Sequence, residues 1–241
     1  MHDFKYTPSQ SSNESSGGQF MICSWVNINR KATVTRLVIP GWSILPHFFA
    51  DLFPKDNLVV LNPFIINDHQ LSAYCKQELA SEDVTVTRQS IEDAMTGSID
   101  RVFIFSMGLQ WVSAHASQLL NMPCDIASPA VSYDSSELDE MITHLKASKL
   151  AVLRSFYRRC FHSNDDWLKW KQQAFESHVT YNDEAILIEW LDYYGRLLVD
   201  IPNTDTITLW LDPLDPIGLK PLVNHNEIKI KQLSRGHLIV A

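Results

Sequence analysis

The spacing of apolar and polar positions changes character twice along this chain. From Met21 to Asn27 and again from Thr33 to Ile39, β-branched and aromatic residues dominate, and the polar Asn-Ile-Asn-Arg-Lys link between them predicts a hairpin. The second strand stops at Pro40-Gly41-Trp42. Leu45 to Phe53 has helical spacing, and Asn57 to Leu61 is a short apolar run of the kind buried on both faces of a parallel sheet. Further helical stretches are expected around Ala73 to Leu79 and Ile91 to Met95. Val102 to Phe105 is the next buried strand, and it feeds a helix over Gly108 to Leu120.

Between 132 and 200 the strand pattern disappears, and helical segments rich in aromatic and charged residues replace it. Strands return at Thr206 to Leu211 and Glu227 to Gln232. A sheet that is interrupted by helices and then completed predicts an α/β fold, with a mostly parallel central sheet and an inserted helical cap. The expected organisation is a flexible tail over 1–19, an α/β core built from 20–131 and 201–241, and a cap over 132–200. The tail is rich in Ser, Gly and Asn and offers nothing to bury against the entropy of ordering it.

Composition narrows the function classes. With 28 acidic and 20 basic residues the net charge is −8, which argues against a general nucleic-acid binder, because neutralising phosphates needs a basic surface. The four cysteines stand far apart, without the spacing of a zinc site, and are expected to be buried free thiols. No signal-peptide pattern opens the chain, and no run approaches the roughly 18 apolar residues of a membrane span. A monomer in the reducing cytoplasm is expected.

Candidate chemistry begins at Ser106. A strand running through Ser-x-Gly into a helix is the arrangement of a nucleophile elbow, in which a strained turn exposes the serine oxygen above the sheet. The full signature is Gly-x-Ser-x-Gly, and here Ile104 stands at the first glycine. Upstream, Gly41-Trp42 follows an early strand, where the backbone amides of Trp42 and Met107 could face a developing oxyanion. Downstream, Asp212 and Asp215 share a turn after a strand, and either could orient a histidine. His237 follows the last strand. Ser, Asp, His is the chain order of α/β-hydrolases.

These segments carry a resemblance to the α/β-hydrolases from about residue 20 onward, and within them to the pimeloyl-[acyl-carrier protein] methyl ester esterases of biotin synthesis. Pro40-Gly41-Trp42 is similar to that family's His-Gly-Trp turn, and Phe105-Ser106-Met107-Gly108 to its Trp-Ser-Met-Gly elbow. Asp215-Pro216-Ile217 is similar to its acid turn, Gly236-His237 to its base, and Leu153 to Phe161 to its cap helix. The resemblance implies a serine carboxylesterase with Ser106 as nucleophile, His237 as base and Asp215 as its orienting acid, and without metal or redox cofactor. The implied partner is the acyl-carrier protein that bears the substrate. Pro40 and Ile104 depart from the family pattern and are expected to change packing and access more than chemistry.

From Lys146 to Lys171 seven bases face two acids, a local excess in an acidic chain. Helical spacing puts Leu150, Leu153, Tyr157, Cys160 and Phe161 on one face and Arg154 and Arg158 together on the other. With Arg159 they form either a solvated helix face or a dock for an acidic carrier protein. A hydrolase of small esters or acyl thioesters would use the same three residues, and a catalytically silent binding protein of this fold is a further alternative.

Overall fold

The computed structural model describes residues 22–129, 132–212, 215, 229–232 and 237. The expected tail over 1–19 lies outside them, as does most of the turn around Asp215. Among the described residues the chain forms one eight-stranded sheet: β1 (Ile22–Ile28), β2 (Thr35–Ile39), β3 (Asn57–Leu61), β4 (Val84–Ser90), β5 (Arg101–Phe105), β6 (Cys124–Ala127), β7 (Ile207–Leu211) and β8 (Lys229–Gln232). Their order across the sheet is β4-β1-β3-β2-β5-β6-β7-β8. β1 is antiparallel to both its neighbours, and the pairs from β3 through to β8 are parallel.

The predicted hairpin does not form, because β3 lies between β1 and β2. The link that looks like a hairpin loop is folded over the start of β3 instead. Asn57 Oδ1 accepts the backbone N–H groups of Arg30 and Ala32 at 2.8 and 3.1 Å. The Arg30 guanidinium donates to the carbonyls of Ala50, Phe53 and Asp56 and pairs with Glu82. A link with so many partners below the sheet carries the chain past β3, and so β2 joins its far side.

β2, β5 and β6 are buried along almost their whole length, as strands covered on both faces must be. Val102, Phe103, Ile104 and Phe105 are each fully enclosed, and such burial contributes about 1.5–3 kcal/mol for each large side chain. Ile104 stands between Ile39 of β2 and Ile126 of β6, so the side chain that replaces the elbow glycine is accommodated as part of the core. At the opposite end of the sheet, buried Arg36 is held by Asp56 and Asp125 at 2.9 and 3.1 Å.

Helices α1 (Pro46–Leu52), α2 (Asp68–Glu78), α3 (Ile91–Met95) and α4 (Gly108–His115) connect the first strands. α4 is shorter than expected. It breaks at Ala116 and continues as a 3₁₀ turn over Ser117–Asn121.

Between β6 and β7 stand α5 (Ser135–Ala147), α6 (Lys149–Arg159), α7 (Asn164–Trp170), α8 (Glu176–Tyr181) and α9 (Glu184–Glu189). Four of these helices start at a residue whose side-chain oxygen accepts first-turn N–H groups: Asp134, Ser148, Ser163 and Asp183. α7 runs into α8 through a π-helical turn over Lys171–Phe175, and a second such turn over Trp190–Tyr194 extends α9. α6 buries Val152, Leu153, Phe156 and Tyr157. Leu150, expected on that face, lies in the first turn of α6 and is exposed.

Cys75, Cys124 and Cys160 are buried, Cys23 is half-buried, and all four are free thiols. No helix among the described residues is long and apolar enough to cross a membrane.

Candidate active site

The site lies where the parallel strands end. β5 delivers Ser106 at φ 50°, in the left-handed region that costs a non-glycine residue free energy and recurs at functional turns. Two short bonds hold it there. Its N–H donates to the Ala127 carbonyl at 2.8 Å, and its own carbonyl accepts from Leu109 N–H at 3.1 Å. Two glycines make the turn possible. A Cβ at Gly108 would sit 2.6 Å from the Pro40 carbonyl oxygen, and one at Gly41 would sit 2.8 Å from the Ser106 Cβ. Only residues without side chains let the two turns approach so closely.

Three side chains from distant parts of the chain form a line. His237 Nε2 is 3.0 Å from Ser106 Oγ, and His237 Nδ1 is 2.8 Å from Asp215 Oδ2. A carboxylate can only accept, so Nδ1 carries the proton and Nε2 is left to accept from the serine hydroxyl. Ser106 and His237 are buried, and so is the side chain of Asp215. Ser106, Asp215 and His237 thus come together as the sequence predicts, and the choice between the two acids has a geometric answer. Asp212 meets a different partner, His162 Nε2 at 2.7 Å, in the link between α6 and α7.

Two contributors had no signal in the sequence. Ser128, at φ 46° just beyond β6, donates its hydroxyl to the His237 carbonyl at 3.0 Å and so fixes the backbone of that residue. Tyr133 stands beside Ser106 in the lining of the adjacent cavity, and burial together with the nearby Asp215 pushes its phenol up to about 12, so it stays protonated. Both stand in the stretch after β6, where no periodicity marks a position as special.

Beside Ser106 is a cavity of about 130 Å³ lined by Trp42, Met107, Tyr133, Leu138 and Phe156 among others. No turn or cap hydrogen bond engages the backbone N–H of Trp42 or Met107 among the described residues. Glu137, Met141, Phe156 and Arg159 line this cavity and also an adjoining outer one of about 360 Å³ between α5 and α6. Of the three arginines singled out from sequence, Arg159 therefore reaches the site. Arg154 is exposed, and Arg158 is half-buried and directs its guanidinium to the Phe161 carbonyl at 3.4 Å.

No family model matches the sequence, and no curated protein does. Solved structures do match it in fold. An α/β hydrolase, MGS-M2, from a Medee basin deep-sea metagenome library aligns with a TM-score of 0.61 at 11% identity, over 90% of this chain and 87% of that one. The esterase EaEST from Exiguobacterium antarcticum aligns at 0.58 with 14% identity, over 90% and 88%. BioG from Haemophilus influenzae aligns at 0.50 with 12% identity, over 91% and 94%. The chain has the α/β-hydrolase fold.

Proposed function

We propose that this protein is a serine carboxylesterase that hydrolyses the methyl ester of pimeloyl-[acyl-carrier protein]. The observation that carries the hydrolase part is the unbroken hydrogen-bond line from Ser106 through His237 to Asp215, opening on a cavity beside the serine. Ser106 Oγ attacks the ester carbonyl carbon while its proton passes to His237 Nε2, and Asp215 stabilises the imidazolium that results. The carbonyl oxygen becomes an oxyanion, which the amides of Trp42 and Met107 would receive. As the carbonyl re-forms, the bond to the methoxy oxygen breaks, and that oxygen takes the proton from His237 and leaves as methanol. Water then attacks the acyl-enzyme, giving its proton to His237. Collapse returns Ser106 and releases a free carboxylate on a chain still tied to its carrier.

What supports the particular substrate is the family resemblance of the four site segments, together with Arg159 at the junction of the two cavities. Inner and outer cavities in series suit an elongated acyl chain, and the basic excess around α6 suits an acidic carrier. A second reading is an esterase for small esters or acyl thioesters, favoured by the modest volume beside Ser106.

The test is hydrolysis of methyl-pimeloyl-carrier and of a small neutral ester by wild type, Ser106→Ala and Arg154→Glu/Arg158→Glu, the two reversed arginines lying outside the cavity beside the serine. Ser106→Ala should lose on the order of 10³-fold or more on both substrates. The double reversal should raise KM for the carrier-linked ester and leave the small ester nearly unchanged. Raising salt should weaken only the carrier reaction, since exposed charges are screened over about 10 Å at 0.1 M. Equal turnover of both esters regardless of carrier would establish the second reading in place of the first.

A further inference from the structure

The turn that carries Trp42 is anchored by the helices inserted between β6 and β7. The next residue, Ser43, is fully buried at φ 64°, a left-handed conformation that a serine keeps only when its surroundings impose it. Its carbonyl accepts two hydrogen bonds, from the Tyr157 hydroxyl of α6 at 2.8 Å and from Asn182 Nδ2, just beyond α8, at 2.9 Å. Ser43 Oγ also lies 2.8 Å from the Tyr157 oxygen. The phenol has one proton and gives it to the carbonyl, so the serine hydroxyl must be the donor of this second bond. The other amide hydrogen of Asn182 goes to the His178 carbonyl at 2.8 Å, which fixes the amide against its own helix. Trp42 itself donates its indole N–H to the Leu187 carbonyl of α9 at 2.9 Å.

Three segments of the insertion therefore grip two consecutive residues of this turn. Neither Tyr157 nor Asn182 lines the cavity beside Ser106, and packing alone would need no polar atom at either position. A buried hydroxyl and a buried amide converging on one carbonyl are costly to arrange unless the orientation of that carbonyl matters.

We propose that Tyr157 and Asn182 are positioning residues that, through the Ser43 carbonyl, hold the backbone N–H of Trp42 where the oxyanion forms. This rests on the serine-hydrolase reading above. It makes the insertion a working part of the oxyanion site as well as a cover over it. Burial pushes the Tyr157 phenol well above its usual range, so the donor persists at all working pH values.

The experiment compares wild type, Tyr157→Phe and Asn182→Ala on a small p-nitrophenyl ester, with active sites counted by exhaustive fluorophosphonate labelling of Ser106. Binding of a trifluoromethyl ketone, whose adduct with the serine places an oxyanion in the same position, is measured alongside melting temperature. Each variant should lose kcat by about tenfold, part of the 10²- to 10³-fold that loss of a whole donor costs, and weaken ketone binding by a similar factor. KM should stay within about twofold, since ground-state binding does not use the oxyanion donors. The pH profile should keep its shape, because His237 is untouched. If Tyr157→Phe fails to melt cooperatively, Asn182→Ala makes the same prediction through the other donor. Full kcat per labelled site in a variant that only melts earlier would overturn the proposal and leave the hydrolase reading standing. A wild-type protein that is neither labelled nor active would remove both.

Discussion

The buried imidazoles beneath the Trp42 turn make folding stability fall steeply in mild acid. His47 at the start of α1 has its Nδ1 3.0 Å from the Tyr74 hydroxyl, and the same hydroxyl accepts the His47 backbone N–H. The phenol proton therefore points at Nδ1, and the neutral ring is the form that fits. Burial lowers the His47 pKa from 6.5 to about 4, against a small opposing pull from Glu78. A group depressed in the folded state contributes nothing to the pH dependence above its unfolded pKa. Its stability is lost as pH falls from about 6.5 towards about 4, where the unfolded chain binds the proton and the folded one does not. Between pH 7.5 and 5 the loss from His47 alone is about 2 kcal/mol, obtained from the two pKa values at 1.36 kcal/mol per unit.

His178 adds to it in the same direction. Its Nδ1 is 3.0 Å from the Ala174 carbonyl and must donate, which leaves Nε2 with a lone pair and no hydrogen-bond partner among the described residues. Burial and the neighbouring His47, whose ring centre is 4.9 Å away, hold its pKa well below the usual value. The assay is urea unfolding followed by tryptophan fluorescence at a series of pH values, for wild type and His47→Gln. The variant should be the less sensitive to acid, so that the stability difference between the two narrows by about 2 kcal/mol from pH 7.5 to 5. Parallel curves over that range would show that His47 is not buried neutral and would refute the reasoning.

Asp215→Asn should cost activity on the order of 10³-fold or more, whereas Asp212→Asn should cost roughly tenfold at most and act mainly on stability, because Asp215 is the acid hydrogen-bonded to His237 while Asp212 meets His162. Steady-state kinetics on a small ester decides between them, and the reverse ranking would move the acid to Asp212. Gly108→Ala should destabilise by about 2 kcal/mol and lower kcat as the elbow shifts away from the Pro40 carbonyl, which thermal melts and kinetics would reveal together. Arg36→Met should cost about 2 kcal/mol in urea unfolding by removing the nearer cation of buried Asp125, which keeps Arg101 at 3.7 Å, and the partner of half-buried Asp56, and it should leave KM unchanged, since the pair lies at the far end of the sheet.

The parts of this fold that announce themselves in sequence are those fixed by local pattern. β3 and β5 are apolar runs between turn signals, and Ser106-Met107-Gly108 is a strand-to-helix turn whose glycine has a steric reason. Asp215 and His237 were placed by chain order and by resemblance. What stayed hidden is non-local. β6 is four residues, Cys124 to Ala127, too short to show a period, and β4 is written in Thr, Arg and Gln at a half-solvated edge. The partner of β1 depends on where Arg30 and Asn57 send their hydrogen bonds, which no window along the chain contains. Tyr157 reads as one more apolar position of α6, yet its hydroxyl serves a carbonyl 114 residues upstream. Arg159 was grouped with Arg154 and Arg158 by charge, while helix geometry turns it towards the cavity.

The order of elements also sets when this protein can become active during its synthesis. The nucleophile turn after β5 is complete early, but β7, Asp215 and His237 all follow the five inserted helices. A nascent chain that has emerged only as far as α9 holds the serine of the turn without the histidine and the aspartate that complete the hydrogen-bonded line. It also carries a temporary liability. Until Ile207 to Leu211 arrives to pair with Cys124 to Ala127, the central sheet ends in the unpaired edge of a strand that is buried in the finished fold, the kind of surface on which unfinished chains associate. Closing that edge requires a contact across the whole insertion, so the step that completes the sheet and the step that brings in the base belong to the same late, non-local event.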